Sequence, residues 1–126
     1  MKISKILLVN IPRLTLDVLN HGDKKILRYE DVYPPLGLLY LSSVLKKYLS
    51  DIEVEIFDLH YESLKKAQVG GHVCWEEMCD EKMKQFIPDL VGISTMFGAS
   101  YEAAKLIATH IKSNNNIVLV AGGVHV

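Results

Sequence analysis

The sequence predicts a doubly wound α/β domain on a parallel sheet, and three observations carry that prediction. Four short, β-branched apolar runs, KILLVN (5–10), EVEIFD (53–58), LVGIS (90–94) and IVLVAGG (117–123), are each bounded by a polar or turn-forming residue. Three of them are almost continuously apolar, as strands covered on both faces must be. The segments between them repeat apolar residues every three or four positions, so strands alternate with helices, and such units in series give right-handed crossovers.

The first run, Ile6 to Val9, is too short for a signal segment or a membrane span and reads as a buried strand. The helix from Pro35 to Leu49 carries its stripe at Leu38, Leu41, Val44, Leu45 and Tyr48. Pro34 and Pro35 suit its first turn, and Lys46 and Lys47 suit the negative end of its dipole. The second strand alternates, with Val54 and Ile56 between Glu53 and Glu55, which places it nearer an edge. A helix from Trp75 to Phe86 has one face made of Trp75, Met78, Cys79, Met83 and Phe86, and Pro88 ends it. From Ser100, a plausible N-cap, to Ser113 the stripe is Ala103, Leu106, Ile107, His110 and Ile111. Asn114, Asn115 and Asn116 turn the chain into the last strand. Two stretches, Ile11 to Tyr33 and about Tyr61 to Val73, read as irregular.

The chain has 126 residues, 49% hydrophobic and 23% charged, which suits one soluble globular domain and excludes disorder and collagen-like repeats. A chain of this size needs neither disulfide nor metal to fold. Fourteen basic side chains face 15 acidic ones, so a nucleic-acid surface is not expected. Cys74 and Cys79 stand five positions apart; on a helix that is about 500° of rotation, so the thiols diverge. Neither a disulfide nor a paired-thiolate metal site suits that spacing. Incidental cysteines point to a reducing compartment, most simply the cytoplasm.

In open α/β sheets ligands lie beyond the carboxyl ends of the strands, where connections leave in opposite directions. Those ends carry Asn10, Ile11 and Pro12; Asp58 and His60; Ser94, Thr95, Met96, Phe97 and Gly98; and Gly122, Gly123, Val124 and His125. The third end is rich in hydroxyls and opens a helix whose free N–H groups can meet an anion. Gly122 and Gly123 would let a bulky ligand approach the backbone, or would simply form a tight turn. The first strand is followed by NIPRL, so there is no phosphate loop or dinucleotide fingerprint. Asp58 reads better as a turn cap and His60 as a solvated loop residue than as an acid–base or metal pair. His110, on its helix's apolar stripe, reads as a packed or interface histidine. No catalytic or metal-ligating set can be assembled.

Three segments, YPPLGLLYL (33–41), IPDLVGIS (87–94) and VLVAGGVH (118–125), stand in the order and spacing of the N-terminal cobalamin-binding domain of cobalamin-dependent radical SAM proteins, and the chain resembles that family from Lys5 to His125. The resemblance implies a flavodoxin-like, Rossmann-type sheet holding a corrinoid at its carboxyl edge. It implies cofactor contacts from Asn10, Pro12, Ser94, Thr95, Met96, Gly122, Gly123, Val124 and His125. In related domains a Ser-x-Leu after the third strand and a Gly-Gly after the fourth line the cleft for the nucleotide tail; here these read Ser94-Thr95-Met96 and Gly122-Gly123.

There are two departures. The Asp-x-His-x-x-Gly loop of corrinoid mutases, whose histidine ligates cobalt, is absent after the first strand. Asp58-Leu59-His60 has the spacing but follows the second strand, with Ser63 in the glycine position. A cobalt with no protein histidine beneath it is therefore implied. The Cys-x-x-x-Cys-x-x-Cys motif of the radical SAM domain is also missing, so the iron-sulfur cluster and S-adenosylmethionine are expected in a downstream domain, most often a methyltransferase. The alternatives are a receiver- or flavodoxin-like signalling or nucleotide-binding domain, and an interaction domain that has lost its ligand. Asn10 and Pro12 stand where a receiver needs acids, and NIPRL is no FMN phosphate loop. Such a domain has five strands and four are legible, so residues 1–126 are expected to be most of a domain. The fourth strand would then have an unpaired edge, open or covered by another copy.

Overall fold

The computed structural model describes residues 2–12, 16–21, 34–95 and 101–123. Four parallel strands, β1 (Lys5–Asn10), β2 (Glu53–Asp58), β3 (Leu90–Thr95) and β4 (Val118–Gly123), form one sheet in the order β2-β1-β3-β4. These are the four apolar runs, with bounds shifted by no more than a residue. The alternating β2 lies at an edge, as its pattern predicts. Its Glu55 is paired with Lys82, and Glu53 lies 4.0 Å from Lys5.

Side-chain alternation splits the strands between two cores. Ile6 and Leu8 of β1 and Val54 of β2 meet Leu38 of α2 (Leu36–Tyr48), with Leu45, Ile56 and Leu90 around them. Leu7, Val9, Val91 and Ile93 face the other way, into a larger core closed by α3 (Leu59–Gln68), α4 (Trp75–Phe86) and α5 (Tyr101–Asn114). The short α1 (Leu16–His21) adds Leu16 and Leu19 to that core.

Both stretches read as irregular contain helix. In the second, α3 begins directly after β2. Its inner stripe is Leu59, Ser63, Leu64 and Ala67, all buried. Two of those four are small or polar, which weakens the periodic signal. The Ser63 hydroxyl is satisfied locally by donating to the Leu59 carbonyl at 2.6 Å. Asp58 is the N-cap of this helix, its carboxylate accepting from the Tyr61 N–H at 3.1 Å. His60 is consequently buried in the first turn rather than solvated in a loop. Ser100 lies outside the described residues. His110 packs as expected, its Nε2 2.9 Å from Asp80 Oδ1 and its ring edge-on to Trp75.

The Asp of IPDLVGIS is structural. Its carboxylate accepts from the Ser4 N–H, the Ser4 hydroxyl and the Lys5 N–H at 2.8–2.9 Å. Its backbone N–H donates to the Lys5 carbonyl, and its carbonyl accepts from the Val118 N–H. Asp89 therefore joins the amino ends of β1, β3 and β4 and sets their mutual stagger. Those donors hold its carboxyl below the usual carboxylate range.

Candidate functional site

The stagger brings the carboxyl ends level. Asn10 lies opposite Asp58 on one side and Ser94 on the other, Ser94 lies opposite Gly122, and Thr95 lies opposite Gly123. β1 leads to β2 on one side of the sheet while β3 leads to β4 on the other, so the connections diverge between β1 and β3, where α/β sheets take ligands.

A cavity of about 470 Å³ opens beside this point, between α2 and the sheet. It is lined by Gly37, Ser94, Gly122 and Gly123 and by aliphatic side chains of β1, β3, β4 and α2, of which Ile6 and Leu8 are buried while Leu41 and Val120 are exposed. Four glycines line it, and three of them make the space. A Cβ on Gly37 or Gly122 would meet nothing within 4 Å, so both border open volume. A Cβ on Gly92, in the middle of β3, would stand 3.0 Å from Leu8 Cδ2 and 3.8 Å from Val120 Cγ2 and would fill the floor. Gly123 has a different role. Its φ of 120° is closed to side chains, and a Cβ there would lie 2.3 Å from the Thr95 carbonyl oxygen. It lets the end of β4 close against β3, and the Thr95 hydroxyl donates to the Gly122 carbonyl at 3.3 Å beside it.

Of the nine residues singled out in the sequence, Ser94, Gly122 and Gly123 line this cavity. Thr95 is buried and points to the opposite face, where it supports the β4 end from below. Asn10 stands in the same row but does not line the cavity, and Pro12 is fully buried. Met96, Val124 and His125 lie outside the described residues. Sequence reasoning missed Gly37, Gly92 and the cavity wall from α2. A glycine inside an apolar strand run is a sign of close approach and could have flagged Gly92. Leu41 and Leu45 read only as a helix stripe.

A larger recess of about 560 Å³ lies on the β2 side of the molecule, lined by α3 and α4. Two of its lysines are paired, Lys65 with Glu62 at 3.7 Å and Lys82 with Glu55 of the sheet. Among the described residues no histidine lines either space. Among the described residues, no three His, Cys, Asp or Glu side chains gather as metal ligands. Cys74 and Cys79 are free thiols, and burial, reinforced by nearby Asp80 and Glu76, pushes the Cys79 thiol up to about 12. No helix among the described residues is long and apolar enough to cross a membrane.

Comparison with known proteins agrees with this geometry. Residues 25–126 match the B12 binding domain. A protein of Pyrococcus horikoshii described as an uncharacterized methyltransferase is 32% identical over 93 residues, which are 74% of this chain and 17% of that protein. The chain thus spans about a sixth of the length of this curated relative. No solved structure matches it significantly. A parallel sheet with its strand ends in register, a glycine-lined cavity at the point of divergence, and a family match over four-fifths of the sequence agree: the chain belongs to the B12-binding domain family.

Proposed function

We propose that this chain is the corrinoid-binding module of a radical SAM enzyme, most simply a methyltransferase. The observation that carries the corrinoid reading is the cavity at the carboxyl edge, kept open by glycines where any side chain would occupy it. Its size falls in the range of cofactor sites, and its walls are mostly apolar, as such sites are. The residues present fit the group: Gly37 and Gly122 clear its mouth, Gly92 clears its floor, and Ser94 offers a hydroxyl at the rim. In this reading the cavity receives the nucleotide tail, and the corrin ring rests on the row Asn10–Ser94–Gly122. When bound, cobalamin supplies a cobalt centre able to carry a methyl group. The chain's own residues bind and orient it and exclude water from its tail.

The methyltransferase assignment rests on the curated relative's description, and the radical SAM association on the sequence resemblance. The iron-sulfur cluster and S-adenosylmethionine then belong to a domain downstream of Val126. The same polypeptide would contribute the fifth strand beside β4, which among the described residues pairs only with β3; a second copy of the chain could cover the same edge.

Reconstitution tests the core of this reading. The protein is incubated with hydroxocobalamin and passed through gel filtration. Corrinoid absorbance should co-elute with it in about equimolar amount. Complete loss of corrinoid from protein that retains native circular dichroism would refute corrinoid binding. A Cys-x-x-x-Cys-x-x-Cys motif in the reading frame beyond Val126 tests the radical SAM association separately.

A further inference from the structure

The helices divide unevenly between the two faces of the sheet. α1, α3, α4 and α5 join the larger core, whereas among the described residues the smaller core holds α2 and no other helix. α2 is nonetheless apolar on its outer side as well as its inner one. Leu36, Tyr40, Val44 and Tyr48 recur every four residues along its whole length. Leu36, Tyr40 and Tyr48 are 71%, 75% and 72% exposed, and Val44 is half-buried. Such a row is the ridge that fits the groove of a second helix in the commonest class of helix crossing. Leu39 and Leu49, both exposed, flank it. At about 150–250 Å² for a large side chain, the exposed parts of these residues come to about 600 Å². That is at the upper limit of the patches monomers carry, and it enters the range of about 600–1,000 Å² per partner of a standard interface.

We propose that α2 is the two-fold interface of a homodimer of this chain, with the Leu36–Tyr40–Val44–Tyr48 ridge at its centre. The absence of charge selects a second copy as the occupant. No Asp, Glu, Lys or Arg stands between Leu36 and Leu45, and the only charges of the helix follow at Lys46 and Lys47. An uncharged, tyrosine-bearing face has nothing to steer an acidic or basic partner, and it is complementary to itself. A two-fold axis through the middle of the ridge sets Tyr40 of each copy beside Val44 of the other. It sends the lysines of the two copies to opposite ends of the helix pair, about 15 Å apart and beyond a Debye length. This contact is separate from the free edge of β4 and does not depend on the corrinoid reading.

Sedimentation equilibrium over about 1–100 µM protein tests it. Interfaces of this size bind at micromolar concentrations or tighter, so the mass of two chains should dominate at about 100 µM. Between about 50 and 500 mM NaCl the dimerisation constant should change by less than about threefold, because no charge lies at the contact. Y40D and L36D alter side chains that are mostly exposed, so the fold is not at stake. Each should weaken dimerisation at least tenfold with an unchanged circular dichroism spectrum. L106D, at an exposed leucine of α5 on the opposite face of the sheet, should leave dimerisation unchanged. A chain that stays monomeric at about 100 µM overturns the proposal. If that monomer sediments with phosphatidylglycerol vesicles and Y40D does not, the ridge meets a lipid surface instead. A dimer that survives both aspartates overturns the α2 contact and moves the interface to another face, such as the β4 edge. Loss of the dimer in L106D as well overturns its assignment to one face.

Discussion

The two adjacent glycines at the end of β4 should respond in opposite ways to the same substitution. In G123A the new methyl meets the Thr95 carbonyl oxygen at 2.3 Å, its carbon at 2.9 Å and its nitrogen at 3.0 Å. All three are backbone atoms of a paired strand and cannot swing aside. The φ of 120° adds conformational strain, for which about 1–3 kcal/mol is usual. The chain can escape by fraying the Thr95–Gly123 pair, but that forfeits one or two hydrogen bonds at about 0.5–1.5 kcal/mol each. The cheaper route sets the measured cost, so G123A should lose about 1–3 kcal/mol. At about 4 °C per kcal/mol for a chain of this size, Tm should fall by about 4–12 °C. G122A adds a methyl with nothing within 4 Å and should stay within about 0.5 kcal/mol of the parent. Thermal unfolding followed by circular dichroism at 222 nm, with urea titration as a second measure, decides the matter. A G123A protein as stable as the parent, or an equal loss in G122A, would refute the assignment of separate roles.

Three further outcomes are expected. Ile87 sits in the left-handed region at φ 52° at the end of α4 while 68% exposed, so I87G should raise stability by about 0.5–1 kcal/mol; an unchanged or lower urea midpoint would count against strain there. Asp89 has a folded pKa below its unfolded value, so its contribution is complete above the unfolded value near about pH 4 and is lost as pH falls through the lower, folded one. D89N should therefore be less stable than the parent at neutral pH, with the difference shrinking in acid; a pH-independent difference would mean the charge is irrelevant. Cys79, with its thiol pushed up to about 12 by burial, should resist a thiol reagent in the native protein and react only on unfolding, while half-buried Cys74 reacts first; rapid native labelling of Cys79 would contradict its packing.

The four strands and three longest helices were legible because each carries an uninterrupted apolar signal at its own period. The helix after β2 was not, because Ser63 and Ala67 occupy half of its inner stripe and their fitness for the core depends on local hydrogen bonding and close packing. At the carboxyl edge the sequence singled out nine residues, of which Ser94, Gly122 and Gly123 line the cavity. It could not separate the two glycines, since both read as sites of close approach while only Gly122 has room for a side chain. Nor could it rank Thr95 against Ser94, although alternation sends them to opposite faces.

By itself, then, the amino-acid sequence determined the α/β class, the edge position of β2 and where each strand ends, because hydrophobic period and turn chemistry are local properties. Tertiary structure alone decided that Asp89 ties three strand starts together, that Gly92 and the wall of α2 make the floor and side of one cavity, and that Gly123 closes the sheet while Gly122 opens the site. These depend on which residues distant in the chain come within a few ångströms, and strand order and register set that.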